Sequence, residues 1–254
     1  MFMSPLFKGV IALACVMGGA VLGMLVRSRL PEAYQGAESK DVVRLVMGLV
    51  LTTAALALGL LVGSAKSFYD TQNAGMAQIA ADYIMLDRIL DYYGPESAGA
   101  RSALRDLLAN QVEGTGLEAS SKTYAEIKSG AQVGDALFHE IQKLSPKDDV
   151  QRFYKQECLG LGIQLGQTRW LMYEQNTVPF PTLLLVVLLV WLFLLFISFG
   201  IFAPRNPLVM AGFFVSGAAL SGAILLILAM YNPQRGLIRV SNAPLRAAMD
   251  QIKR

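Results

Sequence analysis

The chain has 254 residues, 54% of them hydrophobic and 16% charged, where soluble domains carry roughly 25% charge. That balance excludes an ordinary soluble domain; the excess lies in four charge-free apolar blocks, each able to cross a hydrocarbon core about 30 Å thick. The net charge of +3 is too small to argue for a nucleic-acid partner.

The first block covers residues 9–26 and ends at Arg27 and Arg29. The run between Lys8 and Cys15 is shorter than the apolar region of a cleaved signal, about 7–15 residues, so the block is expected to stay as a span. It carries Gly19 and Gly23, a spacing that lets two helix backbones approach closely. The second block, 45–64, has Gly59 and Gly63 at the same spacing, with Thr52, Thr53 and Ser64. Small and hydroxyl residues belong at helix contacts or beside a water path, and both readings stay open.

Residues 65–178 hold 11 Lys/Arg and 15 Asp/Glu. Phe68, Met76, Ile79, Tyr83, Leu86, Leu90 and Tyr93 recur at three- and four-residue steps, which predicts a helix continuing the second span as one rod until Gly94-Pro95. A helix over 95–111 follows, with Leu104, Leu107 and Leu108 inward, and then a loop at Glu113 to Gly116. A third helix is expected over 121–144. Ser145-Pro146 followed by Asp148 and Asp149 reads as the start of a fourth, with Ser145 as its cap. Four such helices make a bundle.

The third block, 179–202, is bulky and apolar all round, as a lipid-facing helix would be. The fourth, 207–231, is lighter, with Gly212, Ser216, Gly217, Ser221 and Gly222. Asn232-Pro233 ends it. A tail follows, extended over 236–240, with a last helix opened by Ser241 and Pro244 and bearing Leu245, Met249 and Ile252 on one face. The expected fold is all-α and membrane-integral: a hairpin of spans in 1–64, a helical bundle in 65–178, a second hairpin in 179–231 and a tail in 232–254.

Four crossings put both termini and the bundle on one side. Lys8, Lys66, Arg169, Arg235, Arg239 and Arg246 flank the spans there, against Arg27, Arg29, Lys40, Arg44 and Arg205 on the other side. The positive-inside rule favours, by a small margin, a cytoplasmic bundle and cytoplasmic termini in a bacterial inner membrane. None of the four blocks contains an ionisable Asp, Glu, Lys, Arg or His. That weighs against proton-coupled pumps, and not against a passive pore or an anchor.

Catalytic chemistry is sparse. His139 is the single histidine, and the two cysteines, Cys15 and Cys158, make no disulfide framework. No phosphate loop or metal-ligand spacing occurs, so an enzyme, a metal site and a cofactor are not expected. Asp87, Asp91 and Glu96 lie near Arg88 and Arg101 and read as a solvated or salt-bridged face, with a divalent cation site as the lesser alternative.

Two separated stretches carry a family resemblance. One is Leu86-Asp87-Arg88-Ile89-Leu90 with Tyr93-Gly94-Pro95-Glu96 and Arg101; the other runs from Asn232-Pro233 through Gly236 to Ser241, then Pro244-Leu245-Arg246. Together they resemble a bacterial membrane family described as bestrophin-like, although Gln234-Arg235 replaces the Phe-Ser part of the family's tail run. The resemblance implies likeness to bestrophins, pentameric anion channels with a cytosolic helical domain and a pore along the second span. On that basis the chain is expected to be a homo-oligomeric ion channel, with Thr52, Thr53 and Ser64 lining a conduit that opens toward Lys66. The partners would be the lipid bilayer, further copies of the chain and inorganic ions. The alternative is a non-conducting oligomeric scaffold or sensor that binds a partner through its bundle.

Overall fold

The computed structural model describes residues 5–29, 37–114, 124–177, 181–204, 206–231 and 240–252. Among these it forms eight α-helices and no strand: α1 (Pro5–Arg27), α2 (Ala37–Tyr93), α3 (Ala98–Gly114), α4 (Tyr124–Lys143), α5 (Asp149–Thr177), α6 (Thr182–Phe202), α7 (Pro207–Met230) and α8 (Ala243–Ile252). Four of them, α1, α2, α6 and α7, are long and apolar enough to cross a membrane. The chain divides into two compact units, Met1–Phe68 with Pro179–Ile238, and Tyr69–Val178 with Arg239–Arg254.

In the first unit α1 packs against α6 and α7. Lipid tails are as apolar as leucine, so helices in a bilayer gain by close packing rather than by leaving water. Glycine supplies the closeness. A Cβ on Gly19 would lie 2.8 Å from the Phe193 carbonyl oxygen, and one on Gly23 would strike the Ile197 carbonyl and come within 3.0 Å of Gly200 Cα. Gly200 returns the contact against Ala20 and Gly23. On α7, Gly217 packs on Leu13, Val16 and Met17, and Ser221 Oγ donates to the Gly9 carbonyl at 2.6 Å. The Arg27 guanidinium donates to the Ala203 carbonyl, placing a cation at the negative end of α6.

α6, apolar all round, leaves Leu183, Val186 and Val190 exposed and buries Leu188, Leu192, Leu195 and Phe196. Gly19 and Gly23 of α1 and Gly200, the one glycine of α6, let the two helices approach closely enough for these side chains to pack. Ala54, Leu61 and Ala65 of α2 join the same core through side chains, and of the four span helices α2 is the least covered.

The second unit is helical, built from α2 beyond Phe68 with α3, α4, α5 and α8. Tyr83, Leu86, Leu90, Leu104, Leu107, Leu108 and Ile141 are fully buried in its core, each large apolar side chain contributing about 1.5–3 kcal/mol. Gly75 does not interrupt α2; Met172 of α5 packs against that glycine. Tyr93 is buried, whereas Tyr92 is exposed and lies against Tyr154.

Three helix ends differ from the sequence reading. Pro95–Ser97 form a 3-10 turn before α3, and α3 continues to Gly114, so Glu113-Gly114 are helix and not loop. The start of α5 is Asp149, capped by Asp148: Asp148 Oδ1 accepts from Gln151 N at 2.7 Å, while Gln151 Oε1 accepts from Lys147 N at 2.8 Å. This reciprocal pair satisfies two orphan donors where Ser145 could satisfy one. Lys155 closes the preceding helix by donating to the Gln142 and Leu144 carbonyls. In the tail, Ser241 Oγ accepts from Ala243 N, and α8 buries Leu245, Ala248 and Ile252, with Met249 half-buried. The extended stretch expected over 236–240 lies, except for Val240, outside the described residues, as do Arg205 and the loop at 115–116.

Candidate functional site

Two groups of residues were singled out by sequence, and each falls within one unit. The first is the span of α2. A helix turns about 100° per residue, so Gly48, Thr52, Ala55, Gly59, Gly63 and Lys66 form one face and Thr53 with Ser64 another. All six members of the first face are exposed within the protomer. Nothing lies within 4 Å of a Cβ built on Gly48, Gly59 or Gly63, in contrast to the tight contacts at Gly19 and Gly23. Identical spacing thus serves a helix contact on α1 and an uncovered groove on α2.

The hydroxyls of α2 are satisfied by their own helix. Thr52 Oγ1 donates to the Gly48 carbonyl and Thr53 Oγ1 to the Leu49 carbonyl, each at 2.9 Å. Back-bonded in this way, threonine is tolerated in an apolar medium. Ser64 Oγ lies 2.8 Å from the Tyr231 hydroxyl, and Phe68 stacks on the Tyr231 ring with centroids 5.3 Å apart. Ser64 therefore ties α2 to the end of α7. Lys66 is exposed and follows the last apolar turn.

The second group, around Tyr93-Gly94-Pro95-Glu96, builds a corner. Gly94 has φ +115° and ψ −175°, a region essentially closed to L side chains. It reverses the chain between α2 and α3. Ser97, which the sequence reading passed over, locks the turn: its buried Oγ donates to the Leu90 carbonyl at 2.6 Å and lies 2.7 Å from the Gly94 carbonyl. Gln151 Nε2 donates to the Tyr93 carbonyl at 2.9 Å, and Lys147 pairs with Glu96.

Arg101 spans the corner. Nε and Nη2 donate to the two oxygens of Asp87 at 2.9 and 3.1 Å, and Nη1 donates to Asp91 at 2.7 Å. The fork geometry of the guanidinium is what makes this two-oxygen contact possible. The bond to Asp87 raises the Arg101 pKa further above its ordinary value, and the bond from Lys147 lowers that of Glu96. Arg88 is exposed and makes no ion pair among the described residues. Arg101→Met, which keeps the stem and removes the fork, is expected to cost the second unit about 1–2 kcal/mol, read as a lower unfolding midpoint; an unchanged midpoint would show the fork to be dispensable.

Apart from Arg88, these motif residues are therefore joined as a structural clamp. Ser241 caps α8, and Pro233 and Gly236 lie outside the described residues. No cluster of three or more His, Cys, Asp or Glu that could hold a metal ion occurs among the described residues. Cys158 is buried, which pushes its thiol up to about 12 and keeps it unreactive. His139 is an exposed neighbour of Glu140.

A family model, the bestrophin-like domain, matches residues 13–245. No curated protein matches the chain.

Proposed function

The chain belongs to the bestrophin-like family, and on that premise we propose that it is a homo-oligomeric ion channel for anions, pentameric as bestrophins are. The conduit runs along the α2 face bearing Gly48, Thr52, Ala55, Gly59 and Gly63, with Lys66 at its mouth to attract the anion. The single observation that supports this reading most is that uncovered stripe of small residues on the least packed span helix. A face without bulk admits a water column when several copies surround an axis. The apolar, charge-free character of the spans fits a passive pore better than a proton-driven machine. The second unit and both termini lie in the cytoplasm of a bacterial cell, following the basic flanks.

Purified protein in liposomes is expected to pass chloride down its gradient. Gly59→Leu should cut the flux tenfold or more without lowering the protomer's melting midpoint, because nothing among the described residues lies within 4 Å of a Cβ built there. Absence of flux under every salt gradient would contradict the proposal. It would support the second reading, a non-conducting scaffold, which exposed Ile163, Trp170 and Leu171 on α5 favour as a partner surface.

A further inference from the structure

In the second unit α2 and α5 lie antiparallel. Gln72 meets Gln175, Gly75 meets Met172, Asp82 meets Gln164, and the Tyr93 carbonyl meets Gln151. Asp82 sits inside this seam at 4% exposure. It lies well beyond the apolar span, which ends before Lys66. Gln78 Nε2 donates to Asp82 Oδ1 at 2.8 Å, and Gln164 Nε2 approaches the same oxygen at 3.4 Å. Oδ2 is buried and has no hydrogen-bond partner among the described residues.

The surroundings decide which form of the carboxyl fits. On α2 its neighbours are Gln78 and Tyr83. The Tyr83 hydroxyl donates to Gln111 of α3, so it is already engaged. From α5 comes Gln164, while the charge of Arg169, also on α5, acts on Tyr83. From α4, Gly134 lies beside Arg169. No lysine or arginine forms an ion pair with Asp82 among the described residues.

An ionised carboxylate offers about four acceptor sites and tolerates burial only when paired or fully hydrogen-bonded. Two neutral amides on one oxygen fall short of that. A protonated carboxyl carries no net charge and leaves a much smaller debt at Oδ2. We propose that Asp82 is a proton-binding site within the helical bundle: the packed α2–α5 seam holds it as the neutral acid, and its ionisation loosens the seam.

Burial raises the Asp82 pKa above the ordinary aspartate value. In strongly acidic solution folded and unfolded chains both carry the proton, so the seam is at its most stable with respect to this group. As pH rises through the raised value the folded chain must bury a charge, and stability is lost. The test uses the full chain in nanodiscs, melted from acidic to alkaline pH. The wild type is expected to lose about 3 °C per pH unit between the unfolded and folded pKa values. Asp82→Asn, which keeps the shape of the neutral acid, should lose this component and melt higher at alkaline pH. Carboxyl titration of the wild type labelled with carbon-13 aspartate gives a reading independent of the variant: one aspartate should ionise above the rest. Equal pH slopes in both proteins, no late-titrating aspartate, or stabilisation of the wild type alone by added sodium or calcium would overturn the proposal, the last by placing a cation on Oδ2.

Discussion

Gly23→Ala is expected to destabilise the first unit by about 3 kcal/mol, the upper part of the usual range for overpacking. The added methyl group would meet the Ile197 carbonyl and the Gly200 backbone, neither of which can swing aside as a side-chain tip could. Either α1 and α6 separate, which forfeits packing along Leu188, Leu192 and Leu195, or the backbone deforms. Gly200→Ala should behave alike, because its own Cβ would strike Ala20 and Gly23. Gly59→Ala and Gly63→Ala are the controls. Their Cβ atoms enter open space, and alanine is the better helix former by about 1 kcal/mol. Thermal unfolding in detergent compares all four. If Gly23→Ala melts with the wild type, close approach of α1 and α6 is not what holds the unit together.

Gly94→Ala should cost the second unit about 2 kcal/mol. At φ +115° and ψ −175° an L residue pays of order 1–3 kcal/mol for its backbone alone. The new Cβ would also stand 3.1 Å from Glu96 Oε2, crowding the carboxylate that meets Lys147. The Ser97 bonds to Leu90 and Gly94 allow the corner little room to relax. Denaturant unfolding, with the midpoint followed by a probe in the second unit, checks this. A midpoint equal to that of the wild type would mean that the corner readily takes another conformation.

The helical periodicity of Ile79, Tyr83, Leu86 and Leu90 was legible because it depends on one helix having one buried face, and those residues are buried. The continuation of α2 past its apolar part followed from the same pattern and from the lack of proline before Pro95. What sequence could not show was which partner each face meets. Gly19–Gly23 and Gly59–Gly63 have one spacing and opposite surroundings, because a small residue permits close approach without supplying a neighbour. Gly200 drew no notice among Leu and Phe, although α1 rests on it. At the start of α5, Ser145-Pro146 carried the stronger local signal, yet the reciprocal bonds of Asp148 and Gln151 determined the cap. Asp87 and Arg101 were legible as charges, but their two-oxygen contact depends on α3 folding back across Gly94. Asp82 was one acid among fifteen in its segment; burial, which only packing creates, sets it apart.

Both readings of function need the chain to cross the bilayer four times with the helices of the second unit in water on one side. Single cysteines at Ser28, Asp106 and Asp250, in a chain with Cys15 and Cys158 replaced, test this by labelling intact and opened cells with a membrane-impermeant maleimide. The expected result is that position 28 reacts in intact cells, and that positions 106 and 250 react together only after opening. Labelling of 106 and 250 from opposite compartments, or of 28 from the same side as both, would contradict it.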